Sequence, residues 1–364
     1  VHSLDHQPLK DLPWISVIMP VRNEANSIAD CLEMVLRQDY PSERMEVLIA
    51  DGMSTDGTRQ IVAELARKDA RVQCIDNPDG FVSAGLNGAI RAAQGDVIIR
   101  LDAHTGYAQD YLRQCVAVLN ETGADNVGGP WIARGQRYVS RAIAAAFQSP
   151  FCAGGARCHA PGHEGWVDTV YLGCWPRNIF SRIGLFDEGL VRNQDDEFNL
   201  RLTRLGGRIW QSPRIRCWYQ PRESLGGLLH QYMQYGYWKV RVIQKHKLPA
   251  SVRHVVPGLF IVLLLTLACL SPFSTIAAWT LAGLTGFYGL CLVAASLVTA
   301  WQTEAAFLAI LPAVFWCYHF GYGYGFLRGL WDFVVWKNKP PLSFTSLTRV
   351  SPSSETKDGT VAHV

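Results

Sequence analysis

Three polar stretches each follow a short apolar run: Pro20-Val21-Arg22-Asn23-Glu24, Asp51-Gly52-Met53-Ser54-Thr55-Asp56-Gly57-Thr58 and Asp102-Ala103-His104-Thr105. Their carboxylates would form an acidic rim. Such a rim binds a phosphorylated ligand best through a divalent metal, whose charge offsets that of the phosphate. Asp102 and His104 are two residues apart. On a regular strand that spacing puts both on one side, as two ligands for one cation. Asp56-Gly57 reads as a turn, with Thr58 capping a following helix. A fourth stretch, Asn193–Leu205, carries Asp195, Asp196 and Glu197 at its start. At a helix N-terminus these acids face exposed N–H groups, so capping explains them as readily as chemistry does. Glu197 and Arg201 read most simply as an i,i+4 helix pair.

Alternating elements would position these stretches. Strands are predicted at Ile15–Pro20, Met45–Asp51, Val72–Asp76 and Asp96–Asp102, and helices at Asn26–Arg37, Thr58–Arg67 and Val82–Ala93. Strands alternating with helices imply βαβ units and an α/β fold with a Rossmann-like, mostly parallel sheet. Ligands of such sheets bind beyond the carboxyl ends of the strands. The three polar exits would then share one rim. No GxGxxG follows a strand and no GxxxxGK[ST] occurs, so neither a dinucleotide fingerprint nor a P-loop is present.

Composition divides the chain. It has 364 residues, 34 Lys+Arg and 31 Asp+Glu, a formal net charge of +3. The 73 residues from Val255 to Leu327 contain one formal charge, Glu304. A lipid-spanning helix needs about 20 mostly apolar residues. The tract therefore predicts about three transmembrane helices within 255–330: Val255–Leu270, Ile276–Ala300 and Ala305–Leu327. Residues 221–254 carry Arg222, Lys239, Arg241, Lys245, Lys247 and Arg253 against Glu223, with several Tyr and Trp. That mixture suits a basic, aromatic interfacial segment. The positive-inside rule then puts the domain at 1–220 in the cytoplasm of a multi-pass inner-membrane protein. A polar, flexible tail is expected over 331–364, with Trp331–Trp336 as a possible interfacial stretch. No signal peptide is expected in the polar start. The small net charge gives no support for nucleic-acid binding. Ten cysteines without framework spacing fit a reducing compartment. Cys152, Cys158, His159 and His163 cluster in sequence, but without paired CxxC spacing a loop is the better reading than a zinc site.

Seven ordered motifs carry a family resemblance: ISVIMPVRNE at 15–24, VLIADGMSTDGT at 47–58, GLNGAIRAAQGDVIIRLDAHT at 85–105, VDTVYLG at 167–173, IGLFDE at 183–188, NQDDEFNLRL at 193–202 and QYGYW at 234–238. They span about residues 13–250. The chain resembles the family 2 glycosyltransferases of GT-A fold, and within them the membrane enzymes of the ExoA (succinoglycan-biosynthesis) type. The resemblance implies a nucleotide-sugar site formed by Pro20, Arg22, Glu24, Asp51, Asn87 and Asp102, with Asp51 on the uracil. It implies that Asp102 and His104 hold the divalent cation, in the place of a DxD pair. His104 replaces the second Asp, which tilts the preference toward Mn²⁺ over Mg²⁺. It implies that Asp195 is the catalytic base. Gln194 stands where the family has Glu, so Asp196 or Glu197 would compensate. Asp196, Gln234 and Trp238 fall on the acceptor side, with Tyr237 replacing the Arg of a QxxRW motif.

The implied reaction is inverting transfer from a UDP-sugar, UDP-glucose by resemblance, to a polyprenyl-diphosphate-linked saccharide in exopolysaccharide assembly. Membrane lipids and other polysaccharide-assembly proteins would be its partners. The alternatives are the same fold acting on another lipid or glycan acceptor, a non-catalytic membrane scaffold, and a transporter. The transporter is weakened because Glu304 and His319 are the only ionisable groups noted in the spans.

Overall fold

The structure, a computed structural model, describes residues 12–247 and 251–346. The N-terminal stretch 1–11 and the 347–364 part of the expected tail lie outside the described residues. The strands are β1 (Ile15–Val21), β2 (Met45–Asp51), β3 (Val72–Asp76), β4 (Val97–Arg100), β5 (Thr105–Tyr107), β6 (Asn126–Gly129), β7 (Gly165–Val167), β8 (Tyr171–Pro176), β9 (Ile209–Gln211) and β10 (Cys217–Tyr219). The helices of the first two-thirds are α1 (Ile28–Leu36), α2 (Thr58–Lys68), α3 (Val82–Ala92), α4 (Tyr111–Thr122), α5 (Tyr138–Gln148), α6 (Pro150–Ala153), α7 (Asn178–Ile183) and α8 (Gln194–Arg204). There follow α9 (Leu225–His246), α10 (Val256–Leu270), α11 (Thr275–Gln302), α12 (Leu311–Leu330), a π-helical turn at Trp331–Trp336 and α13 (Leu342–Thr345).

Eight strands form one sheet in the order β3-β2-β1-β4-β8-β6-β9-β7. The half read from the sequence is parallel: β1 pairs with β2 and β4, and β2 with β3. The other half is mixed, since β8 runs antiparallel to β4 and β6, and β7 antiparallel to β9. β1 is buried on both faces, as a central strand between helical layers must be. Ile15, Val17 and Met19 pack with Ile28, Leu32 and Val35 of α1. Ile18 turns the other way, to Leu86 and Ile90 of α3. This alternation brings the ends of β1, β2 and β4 to one edge. β4 stops at Arg100, so Asp102 and His104 lie in the loop beyond it and not on the strand as expected.

The apolar tract differs from three equal spans. Among the described residues, α11 alone is long and apolar enough to cross a membrane, while α10 is apolar but 15 residues long. α11 exposes Ile276, Trp279, Phe287, Leu290 and Trp301, an apolar surface of the kind that faces lipid. α12 instead packs on α9. A Cβ at Gly236 or Gly325 would overlap the carbonyl oxygen of Tyr322 or Met233, and one at Gly329 would come within 2.6 Å of that of Tyr237. Glycines let the two backbones approach, as small residues do between membrane helices.

The expected interfacial segment is therefore engaged on one face. Tyr237 and Trp238 are buried, with Tyr237 Oη donating to Asp332 at 3.1 Å and its ring stacked on Phe344. Two of the basic residues reach back to the α/β part of the chain: Lys239 to Asp196, and Lys245 to Asp187 and Glu197.

Candidate active site

Local hydrogen bonds hold the strand exits together. Asn23, in a left-handed conformation (φ 56°), donates its backbone N–H to Ser54 Oγ (2.9 Å), and its Oδ1 accepts from Thr55 N (2.9 Å). Glu24 N donates to Thr58 Oγ1 at 2.8 Å. Asp56 accepts from Thr58 N and Thr58 Oγ1, which makes the Asp56-Gly57 turn ahead of α2. Burial pushes the Asp56 carboxyl up, but hydrogen bonds from Thr58 and Ala25 outweigh it and leave the group below its usual range.

A cavity of about 670 Å³ opens beyond this edge. Pro20, Arg22, Glu24, Asp102, His104, Asp195 and Asp196 all line it. Asp102 accepts from the buried Arg100 guanidinium, Nε to Oδ1 at 3.2 Å and Nη2 to Oδ2 at 3.4 Å. Its backbone is pinned by Tyr107 of β5, which takes the Asp102 N–H at 2.7 Å and donates to its carbonyl at 3.0 Å. His104 Nδ1 lies 3.2 Å from Glu24 Oε1, and Glu24 Oε2 accepts from Ser27 Oγ at 2.8 Å. Arg22 packs against Gly52 and Gly80, where any added Cβ would strike it.

Asp195 and Asp196 open α8. Asp195 Oδ1 accepts from Asp196 N at 2.9 Å. Burial raises the Asp195 carboxyl above its ordinary range and the adjacent Asp196 adds to this, while Arg100 and Lys239 oppose it. Burial acts on Asp196 too, but Lys239 Nζ at 2.6 Å outweighs it and holds that group low. The two neighbouring acids are thus shifted in opposite directions, Asp196 down by Lys239 and Asp195 up by burial.

Glu197 belongs to the scaffold. It is fully buried and accepts from Arg201 (Nε 3.1 Å, Nη2 2.9 Å), and Lys245 and His246 lie within 3.1 Å. These contacts fasten α9 to α8. Breaking a buried ion pair costs about 3–5 kcal/mol. Glu197→Gln is accordingly expected to lower the thermal unfolding temperature clearly in detergent. An unchanged melting curve would contradict this role.

Four expected site residues are not on the cavity wall. Asn87 is buried and fully engaged, donating to Phe186 O (2.8 Å) and Glu188 Oε1 (2.7 Å) and accepting from Phe186 N (2.9 Å). It ties α3 to the 186–188 loop. Trp238 Nε1 donates to Phe344 O at 2.8 Å. Gln234 Nε2 donates to Ser343 O and Ser346 O at 3.2 and 2.8 Å. Both hold the α13 segment against α9. Asp51 also lies behind the wall. Its Oδ2 accepts from Ser54 N and Arg59 Nη1, both at 3.2 Å, whereas its buried Oδ1 has no hydrogen-bond partner among the described residues.

Several wall residues were not anticipated as site residues: Arg100, Arg192, Arg222, Lys239, Arg253 and the aromatic Trp131, Tyr171 and Tyr219. Arg100 had a signal, a lone charge closing the apolar run Val97–Arg100. Lys239 had none, because only packing separates it from other cations of α9. The Cys152–His163 segment forms another wall. His159 Nδ1 donates to Phe147 O at 3.1 Å, and burial brings its imidazole down to about 4.

Among the described residues no three His, Cys, Asp or Glu side chains converge as a metal cage. Asp102 and His104 are a two-donor set on an open wall. That fits a cation completing its shell with phosphate oxygens and water.

Residues 16–159 match the family described as "Glycosyl transferase family 2". The chain is 35% identical over 245 residues to the succinoglycan biosynthesis protein ExoA of Rhizobium meliloti (strain 1021), covering 66% of this chain and 73% of that protein. It is 28% identical over 326 residues to a dolichyl N-acetyl-alpha-D-glucosaminyl phosphate 3-beta-D-2,3-diacetamido-2,3-dideoxy-beta-D-glucuronosyltransferase of Methanococcus voltae, covering 87% and 97%. Among solved structures it is similar in fold to the mannosyltransferase PcManGT from Pyrobaculum calidifontis, in complex with GDP-Man and Mn²⁺, with TM-score 0.57, 21% identity and 90% of each chain covered. With a GT-A-type sheet, an acid-lined cavity at its strand ends and these relatives, the chain belongs to glycosyltransferase family 2.

Proposed function

We propose that this protein is a membrane-bound, inverting glycosyltransferase that moves a sugar from a nucleotide-sugar donor to a lipid-linked saccharide in cell-surface polysaccharide assembly. UDP-glucose is the first donor to test. One observation carries the reading. A single cavity joins Asp102, His104 and Asp195 at the sheet edge to Val256 and Pro257 of α10 and Tyr318 and Tyr322 of α12. A water-soluble donor and an acceptor on a lipid carrier could meet there. The names of both relatives, a succinoglycan biosynthesis protein and a dolichyl-phosphate-sugar transferase, support that acceptor class. The exposed apolar surface of α10 and α11 supports a membrane location. We further propose a multi-pass inner-membrane placement with residues 1–220 in the cytoplasm, on the strength of the basic segment ahead of the apolar tract.

Pro20, Arg22 and Glu24 line the nucleotide end. Asp102 and His104 would hold a Mn²⁺ or Mg²⁺ ion, which neutralises diphosphate charge when bound. Asp195 takes the proton of the acceptor hydroxyl as its oxygen attacks the anomeric carbon. The bond from that carbon to the diphosphate oxygen breaks, and the nucleoside diphosphate leaves with the electron pair. One base and no covalent step invert the centre, so an α-linked donor gives a β-glycoside.

The test is a panel of nucleotide sugars with purified membranes, lipid-linked acceptors and NMR of the product linkage. A β-linked product, lost on adding a chelator and restored by Mn²⁺, is expected. An α-linked product from an α-linked donor would refute inversion, and chelator-resistant transfer would refute the role given to Asp102 and His104.

A further inference from the structure

α9 and α12 lie side by side and run in the same direction. Cys317 Sγ contacts the carbonyl oxygen of Leu225, 92 positions earlier, at 3.8 Å. At the same offset, Gly321 meets Leu229, Gly325 meets Met233 and Gly329 meets Tyr237. α9 is tied to the water-facing α/β part along its length. Gln231 bonds to Tyr219, Lys239 pairs with Asp196, and Lys245 pairs with Asp187 and Glu197. Charges of this kind are rare and costly inside a membrane. α12, in register with α9 over most of its length, therefore lies where α9 lies.

Parallel neighbours impose a return. The chain leaves α9 at its C-terminal end and comes back to its N-terminal end before α12 starts. Contacts mark both points. On departure Arg253 pairs with Asp168 at 2.9 Å, and Gly258 packs on Phe326 of α12. On return Ala295, Ser296, Thr299 and Ala300 of α11 are buried, and Thr299 Oγ1 donates to Ser149 Oγ at 3.2 Å. Glu304, the single formal charge between Val255 and Leu327, pairs with Arg141 of α5. Tyr138 Oη, also of α5, donates to the Ala306 carbonyl at 2.6 Å.

Between these two anchorages the surface is apolar and open. Leu259 and Leu265 of α10, Phe273 in the turn, and Ile276 and Leu290 of α11 are all exposed. No formal charge occurs there, the Ser271-Pro272-Phe273-Ser274 turn included. The part of α11 ahead of Ala295 is about 30 Å long at about 1.5 Å per residue, the thickness of a bilayer's hydrocarbon core.

We propose that α10 and α11 form one hairpin that enters the lipid and returns to the same face, and that α12 does not cross. Three spans would put the end of α12 on the face opposite the α/β part. An outgoing and a returning helix put it on the same face. Val256 and Pro257, in the first turn of α10, line the cavity, so insertion of the hairpin holds the cavity mouth at the membrane surface. The assignment rests on the membrane-bound part of the proposed function and not on its chemistry.

Thiol labelling tests it. Cys74 is native and exposed on β3. Lys339→Cys adds a thiol at an exposed site beyond α12. Gly283→Cys adds one midway along the free part of α11, where an added Cβ meets nothing within 4 Å. Sealed vesicles of each orientation, carrying the full chain, are treated with a charged maleimide that does not cross membranes, and labelled peptides are identified by mass spectrometry. Cys74 and the thiol of Lys339→Cys should be labelled together from one face and protected together from the other. The thiol of Gly283→Cys should escape from both faces and react with a lipid-soluble maleimide. Label at position 339 from the face opposite Cys74, or from neither face, would overturn the hairpin and leave the membrane-bound reading intact. Label at position 283 from the Cys74 face would place the hairpin outside the lipid and overturn it too. Release of the chain from vesicles by alkaline carbonate would sink the membrane-bound reading itself.

Discussion

Asparagine at position 195 is expected to lower kcat for transfer by about a hundred- to ten-thousandfold, the usual contribution of a general base. Donor KM should stay near wild type. The substitution is nearly isosteric, and the bond that Asp195 Oδ1 accepts from Asp196 N can be kept by the amide oxygen. The fold should therefore survive and the loss should be chemical. The pH dependence has a definite sign. In the proposed role Asp195 acts as a carboxylate, and burial with the neighbouring Asp196 raises it above the ordinary range. Activity should be full above that raised value and fall as pH drops through it, at a higher pH than an unperturbed carboxylate would give. In Asp195→Asn the limb should vanish along with the rate. Initial rates of sugar incorporation across pH decide the matter. A variant that retains near wild-type kcat with the same acidic limb would remove Asp195 as the base.

The second large effect is expected from Lys239→Met. Lys239 is buried on α9 and its ammonium lies 2.6 Å from Asp196 Oδ2. Methionine fills similar space without charge. Asp196 would then lose the largest cationic influence on it, leaving the smaller one of Arg253. Two neighbouring carboxylates without their cation repel each other, and an opposite charge at this range lowers a carboxyl by about one to three units. Removing it should raise both acids and move the acidic limb of kcat/KM upward by about one unit or more. Activity near neutral pH should fall while donor KM changes little. Lys239→Arg, which keeps the charge, should leave the limb close to its wild-type position. A limb that stays put in Lys239→Met would show that Asp196 and its cation do not tune the base.

The parallel half of the fold was legible because β1, β2 and β4 are apolar runs of strand length that end in polar loops. Their order and the rim they share follow from the βαβ rule. The mixed half was not, because β7 and β9 are three residues each, too short to show a period, and two of the four residues of β6 are glycines. The same limit applies to the site. Arg22, Glu24, Asp102, His104 and Asp195 come together as expected, since each sits in or beside a motif tied to an element end. Asn87, Gln234 and Trp238 instead spend their polar atoms on joining elements, which depends on partners up to about a hundred positions away. Lys239 looked like part of a lipid-facing band, and its burial against Asp196 is a product of how α9 packs. The spacing of Gly321, Gly325 and Gly329, four residues apart, was a readable sign that α12 meets another helix closely. Hydropathy alone does not distinguish that contact from a lipid-facing span.

The central claim is that one cavity couples donor chemistry at the strand ends to an acceptor carried by lipid. Radiolabelled nucleotide sugar, incubated with membranes holding the wild-type chain or Asp195→Asn and then extracted into organic solvent, tests it most directly. The account predicts label in the lipid phase with the wild-type chain and almost none with Asp195→Asn at equal protein. Label that reaches lipid equally with both proteins, or that appears only as free sugar in water for every donor and lipid-linked acceptor offered, would contradict it.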